Sequence, residues 1–250
     1  MKVSVIMSFE YRPSLDNTLQ GWTNLNWQDV EFVMCDNGSD DPIHAKEVVM
    51  NSGLNVTHYI RNEKAKPPNA VWNELYKLSS GEFVIIAMQD EIISSKDIIQ
   101  RMLNAYHEGE RVSINTYELS YYMTEALSSV PWQSDPKTIE TLPGFWTDTF
   151  GTETNADKHA AGLLMHISGQ YRKHWDYFGM FHPDNGYLLV DRDVVLREKV
   201  LGKQVQTPTD VVCYHQWHRR KVDGHAVNGP TYRYFTEREA RLLDEPERER

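Results

Sequence analysis

The sequence predicts an α/β fold: one domain with a mainly parallel central sheet flanked by helices, and an irregular excursion in its second half. Three observations predict it. Short apolar runs rich in β-branched residues alternate with stretches whose apolar residues recur at helical spacing. The runs are apolar at consecutive rather than alternate positions, as expected of strands covered on both faces. No internal repeat or low-complexity linker interrupts this rhythm.

The elements follow in order. Val3 to Met7 is a continuous strand-like run, and Pro13 opens a helix in which Leu15, Leu19 and Trp22 share a face. Val30 to Cys35 is the next strand, stopped by the turn residues Asp36, Asn37 and Gly38. A helix from Pro42 to Met50, a strand from Val56 to Ile60, a helix from Asn69 to Leu78 and a strand from Phe83 to Met88 complete the regular half. Ser94 or Ser95 is expected to cap the helix carrying Ile98, Met102 and Tyr106. Val112 to Tyr117 reads as one further strand. Glu118 to Asp157 is rich in Trp, Pro, Ser and Thr without a sustained period, and is too long for a mere connector. It reads either as an acceptor-side loop built around Trp132, Phe145, Trp146 and Phe150 or as a locally packed aromatic cluster. Beyond Asp191 and Asp193, Val194 and Leu201 fit a helix whose start holds both acids, and Val211 to Tyr214 is a short strand ending at His215. The expected division is a domain over 1–235, with halves at 1–110 and 111–235, and a charged tail over 236–250.

With 250 residues and 40% hydrophobic content, the chain can bury a sizeable core. Its formal charge of -10 opposes wholesale wrapping of nucleic acid, which draws on clustered Lys and Arg. Two cysteines, Cys35 and Cys213, exclude a disulfide framework and fit a reducing cytoplasm. No apolar run approaches the roughly 18 residues a membrane span needs, and no leader pattern is expected at the N-terminus.

In open α/β sheets ligands sit beyond the carboxyl ends of the strands, so the residues after each apolar run are the candidates. Ser8, Glu10 and Arg12 follow the first strand and can border a nucleotide. Asp36 follows the second, as an acceptor for a base N–H or ribose hydroxyl, or else as a turn cap before Gly38. Gln89, Asp90 and Glu91 follow the strand Phe83 to Met88. Adjacent carboxylates there carry a desolvation cost that a divalent cation offsets, and Mn2+ or Mg2+ suits hard oxygen donors. The alternative is N-terminal charge for the following helix. Asp191 is either a helix cap or a general base. His215 is a candidate third metal ligand through a neutral ring nitrogen.

The segments KVSVIMSFEYRPS, CDNGSDDP, SSGEFVIIAMQDEI, VDRDVVLREKVLGK and PTDVVCYHQWH follow one another in an order that resembles inverting family 2 glycosyltransferases, over about residues 1 to 220. The resemblance implies a Rossmann-like GT-A fold and transfer of a sugar from a nucleoside-diphosphate donor, with UDP-sugar the expected donor. It places Asp36, Ser8 and Glu10 around the base and Lys66 near the phosphates. It places Gln89, Asp90 and Glu91 at the metal site, Asp191 at the catalytic-base position, and His215 where a histidine completes the metal or diphosphate site. Trp146, Asp193 and His218 are the acceptor-side candidates. The acceptor itself is open: a glycan hydroxyl is the first expectation, and a modified nucleobase in nucleic acid is allowed by the basic run His218 to Lys221. Two positions depart from the family pattern. Met88 and Gln89 stand where a fuller acidic motif would begin, and Val190 replaces a glutamate before the base.

Three other readings compete. A sugar nucleotidyltransferase needs a glycine-rich, basic loop after the first strand, and FEYRPS has no glycine. A catalytically silent nucleotide-sugar-binding domain is compatible with Met88 and Val190. A metal nuclease built on His215, His218, His225 and Asn228 leaves the long α/β pattern unexplained.

Overall fold

The chain enters the sheet at once as β1 (Val3–Phe9), whose alternate residues Val3, Val5, Met7 and Phe9 face one core while Ile6 faces another. The computed structural model describes residues 1–148, 150–151, 167–178, 181, 194, 198 and 202–217. Helix α1 (Ser14–Thr23) buries Leu15, Leu19 and Trp22 against the β1 side, each fully buried side chain contributing roughly 1.5–3 kcal/mol. Then come β2 (Val30–Asn37), α2 (Pro42–Met50), β3 (Val56–Asn62), α3 (Pro68–Leu78) and β4 (Phe83–Met88). β2 is buried throughout, and it runs past the expected stop at Cys35. The turn comes at Gly38, where φ is +99° and a Cβ would lie 3.0 Å from the Ala65 nitrogen.

Short β5 (Glu91–Ile93) precedes α4 (Ile98–Ala105). Neither serine caps α4. Ser94 Oγ accepts instead from Val212 N, at 3.0 Å, and Ser95 Oγ from Asp97 N, at 3.2 Å. The expected single strand over 112–117 is two strands, β6 (Arg111–Ser113) and β7 (Asn115–Glu118), in different sheets. The chain changes sheet at Ile114, whose N–H bonds to Ile167 O at 3.0 Å. An apolar run carries no mark of this because its partners are distant in sequence.

The excursion folds as α5 (Tyr121–Glu125), two 3-10 turns over Ala126–Ser129 and Pro136–Thr141, and α6 (Phe145–Asp148). Trp132 and Phe145 are buried in its own small core with Leu119, Met123 and Tyr214, so these two rings are a packed cluster, whereas Trp146 is exposed. The remaining described elements are β8 (Phe150–Gly151), β9 (Ile167–Tyr171), α7 (Arg172–Phe178), β10 (Val205–Gln206) and β11 (Val212–His215).

The larger sheet has the order β10-β6-β9-β4-β1-β2-β3, parallel except where β9 joins β4 and β6. Helices α1, α2 and α4 cover one face, and α3 and α7 the other. The smaller sheet has the order β5-β11-β7-β8. Two networks tie the parts. Glu31 accepts from Ser4 Oγ at 2.6 Å, Ser80 N at 2.5 Å and Lys2 Nζ at 2.6 Å. Gly81 has to be glycine there, since a Cβ would come within 2.5 Å of Ser4 N. Arg111, fully buried, grips Glu198 with two hydrogen bonds, at 2.7 and 3.1 Å, and donates to Ser168 Oγ at 2.8 Å.

Candidate active site at the carboxyl edge of the sheet

β1, β2 and β4 are parallel and end at the same edge, where Ser8 lies in register between Cys35 and Met88 and Phe9 opposite Asp36. The loops that follow them interlock. Glu10 N donates to Gln89 Oε1 at 2.5 Å, and Tyr11 N to Ser39 Oγ at 2.7 Å. Asp90, only 4% exposed, is the centre of this edge. Ser14 Oγ donates to its Oδ1, and Arg12 Nη1 stands 3.8 Å from its Oδ2 while Arg12 Nη2 is 3.6 Å from Glu10. Ser14, the first residue of α1, thus spends its hydroxyl on Asp90, and α1 has no side-chain cap.

The end of β11 closes the edge from the other sheet. Gln216 N donates to Asp90 O at 2.8 Å, and Gln216 Nε2 to Ser14 O at 3.0 Å. His215 sits opposite Glu91 in the β5–β11 pair, its Nδ1 2.8 Å from Glu91 Oε1. Burial alone would lower the imidazole pKa, but the carboxylates of Glu91, Asp90 and Glu118 outweigh it and raise it. Nδ1 is thus committed to Glu91, which fixes the orientation of the ring.

Asp36 is fully buried. Its Oδ1 accepts from Ser39 N at 2.9 Å, the turn-capping bond. Its Oδ2 makes no hydrogen bond of good geometry among the described residues, but it has two polar neighbours: the buried Tyr59 hydroxyl, whose pKa burial and then Asp36 raise, and Arg61 Nε at 3.8 Å. A buried carboxylate oxygen without such a bond is uncommon and marks a place where an N–H or O–H is accepted. Asn37 continues the edge. Its Nδ2 donates to Lys66 O at 2.9 Å, and its Oδ1 accepts from Lys66 N and Asn62 Nδ2, both at 3.0 Å.

No family model matches the chain, and no curated protein does. Solved structures do match. S. aureus TarS 1-349 in complex with UDP-GlcNAc is similar with a TM-score of 0.66 and 17% identity, over 100% of this chain and 68% of that one. The mannosyltransferase PcManGT from Pyrobaculum calidifontis, in complex with GDP-Man and Mn2+, gives 0.61 and 17%, over 96% and 69%. TarS 1-349 with UDP gives 0.55 and 17%, over 86% and 60%. The fold is GT-A-like. At these identities the likeness is one of fold, and the chain spans about two thirds of the length of these structures.

On this GT-A-like frame Ser8, Glu10, Arg12, Asp36, Gln89 and Asp90 share one edge of the sheet. Lys66 joins it through its backbone, while its Nζ lies 3.4 Å from Glu74. The expected trio of Asp90, Glu91 and His215 does not form one metal-competent group among the described residues. Asp90 lies in the turn between β4 and β5, whereas Glu91 opens β5, fully buried, with its Oε1 turned to His215. Trp146 lies apart, packed on Phe145 and Tyr117 with centroids at 4.9 and 6.3 Å. Asp191, Asp193 and His218 lie outside the described residues, as does the tail over 236–250.

Three contributors escaped the sequence reading. Ser14 and Gln216 fix Asp90, and Arg61 covers Asp36. Gln216 stands between His215 and Trp217 in the quoted C-terminal segment, and its polarity beside a buried strand was the available signal. The cysteines carry no chemistry. Burial, then Glu74 and Asp36, pushes the Cys35 thiol up to about 12, and burial raises Cys213 as well. No helix among the described residues is long and apolar enough to cross a membrane.

Proposed function

We propose that this chain is an inverting glycosyltransferase that takes a sugar from a nucleoside diphosphate, with a UDP-sugar as the expected donor. The observation that carries this reading is Asp90. It is a buried carboxylate at the carboxyl end of a central parallel strand, steadied by Ser14 and Gln216 and faced by Arg12. A carboxylate so placed offsets its desolvation by meeting a cation. The mannosyltransferase of the same fold was solved with Mn2+ and a nucleotide sugar.

The donor's base would lie over β2, where Asp36 Oδ2 accepts an N–H. Arg61, 42% exposed with its Nε 3.8 Å from that oxygen, would swing aside as the base arrives. Ser8, Glu10 and Gln89 would line the nucleoside, and Arg12 and Lys66 would neutralise the diphosphate. Asp90 and His215 are the residues that fit a divalent ion. One supplies a hard oxygen and the other an imidazole whose far nitrogen is anchored by Glu91, the usual support of a ligating histidine. A bound Mn2+ or Mg2+ supplies positive charge for the departing nucleoside diphosphate.

Asp191 is assigned the general base. It takes the proton of the acceptor hydroxyl as that oxygen attacks the anomeric carbon from the side opposite the diphosphate, so configuration inverts. Asp191→Asn is expected to cut transfer by about 10²- to 10⁴-fold while donor affinity is kept. Transfer and donor titration measured on the same preparation test this. Turnover at the unmutated rate would remove Asp191 from the role.

A further inference from the structure

We infer that Tyr121, Tyr122 and Trp217 form a platform that holds a pyranose ring of the acceptor, which makes a glycan the acceptor class. The inference rests on the transferase reading and adds to it the identity of what receives the sugar.

Trp217 lies two residues beyond His215 and one beyond Gln216, which is bonded to Asp90. Its backbone is pinned, with N donating to Thr124 Oγ1 in α5 at 2.8 Å, and Leu119 N donates to His215 O at 2.8 Å just before that helix. The Trp217 ring meets Tyr121 edge to face at 4.9 Å, and Tyr121 meets Tyr122 at 5.5 Å. Yet the three are exposed by 44%, 46% and 82%. Large rings held in mutual contact, left open to water and attached directly to the catalytic edge constitute a contact surface waiting for an occupant.

Composition decides which occupant. Among the described residues the exposed large hydrophobics are Met1, Ile43, Met50, Tyr121, Tyr122, Trp146 and Trp217. The three aliphatic ones lie elsewhere, at the N-terminus and on α2, and every one on the later half is aromatic. The core of a protein interface mixes aliphatic and aromatic side chains, whereas this patch offers flat faces with polar edges. A pyranose ring presents the complementary shape: an apolar face of C–H groups that packs on a ring, and hydroxyls at its rim that reach phenol and indole edges. Tyr and Trp supply this area with only two side-chain torsions each, so little entropy is lost on contact. The segment that carries Tyr121 and Tyr122 is acidic, residues 115–146 holding Glu118, Glu125, Asp135 and Glu140 against the single cation Lys137, while the basic run His218 to Lys221 follows Trp217 outside the described residues, so polyanions are included as an arm of the test.

The test is binding of the fluorescently labelled full chain to a printed array of neutral, sulfated and phosphorylated glycans together with RNA and DNA oligomers. Trp217→Ala, Tyr122→Ala and Trp217→Phe are run beside it, with Met50→Ala as a surface control. The expected result is signal on a set of neutral glycans that falls at least fivefold in both alanine variants, survives in Met50→Ala and is largely kept by Trp217→Phe. Absence of any glycan signal, glycan signal indifferent to both alanine variants, or binding only to phosphorylated or nucleic-acid spots overturns the proposal. So does a concentration-dependent dimer abolished by Trp217→Ala, which would make the patch a contact between copies. A thermal shift with UDP or GDP and Mn2+ is measured in parallel. Nucleotide stabilisation without glycan binding sinks this inference alone, whereas loss of nucleotide stabilisation sinks the transferase reading beneath it.

Discussion

In the half of the molecule before β6, two neighbouring strand pairs are joined by one helix along the chain, β1 to β2 through α1 and β2 to β3 through α2, and the β1–β4 pair closes a longer stretch. After it, pairing jumps. Val112 sits opposite Gly169, Asn115 opposite Val212 and Glu91 opposite His215. The first half can assemble from local units, each βα turn delivering one polar residue to the common edge, while the second has to close long loops before its contacts form. On the proposed reading, the residues that would meet the donor therefore sit on locally determined structure. The surface proposed to face the acceptor is held together by contacts distant in sequence.

The comparison breaks first at Arg111. If distant contacts hold the second half, removing the buried cation leaves Glu198 uncompensated, and Arg111→Met should cost about 3–5 kcal/mol in urea unfolding. The double variant Arg111→Met with Glu198→Met should recover most of it. A loss below about 1 kcal/mol would show that the second half does not lean on this pair. Asp90 tests the seam between the halves, because Ser14 holds it from one side and Gln216 from the other. Asp90→Asn should lower transfer by about 10²-fold, or about 2.7 kcal/mol. It should also abolish any Mn2+-dependent thermal shift with nucleoside diphosphate. Undiminished turnover would move the cation site elsewhere.

The same asymmetry explains what the sequence made legible. Elements α2 and β4 were legible at their observed bounds because Pro42 stands at a helix start and Phe83 to Met88 is a continuous apolar run, buried almost throughout. Asp36 and Asp90 were readable as candidates because they follow such runs directly. The division of 111–118 between two sheets was not readable, since nothing local records that Ile114 bonds to Ile167. Nor was the separation of Glu91 from Asp90. Adjacent acids look like one cluster on paper, and only pairing with His215 turns Glu91 into a support. The platform of Tyr121, Tyr122 and Trp217 joins residues nearly a hundred positions apart, and no periodicity announces it.

Glu31 gives the first half its own stability test. Burial would raise its pKa, but Lys2, Ser4 and Ser80 override that and hold it at about 2. A depressed carboxylate stabilises the fold fully above its unfolded value near 4.5 and loses that contribution as pH falls toward 2. Acid unfolding should therefore weaken the protein across that window. Glu31→Gln should remove about 2 kcal/mol at pH 7, the figure being discounted because Lys2 is solvent-exposed, and should flatten the acid limb. A variant with an unchanged slope between pH 5 and 2 would show that this network does not set the acid stability.

The smallest expected effect is the most specific to the proposed chemistry. Asp36→Asn keeps the oxygen that accepts from Ser39 N and replaces Oδ2 by an amide donor, at a position where a base would present its own N–H. Two donors face to face cannot bond, so affinity for UDP or GDP should fall about tenfold, or about 1.4 kcal/mol. The fold should be little changed, because the substitution is isosteric and also removes a buried charge. Titration calorimetry reads the affinity and thermal unfolding reads the fold. If both nucleotides bind Asp36→Asn as tightly as the unmutated protein, the carboxylate is only the cap of the Gly38 turn. If affinity falls while stability holds, Asp36 Oδ2 is the base-recognition point, and Arg61→Ala, by removing the guanidinium 3.8 Å from that oxygen, should tighten binding rather than weaken it.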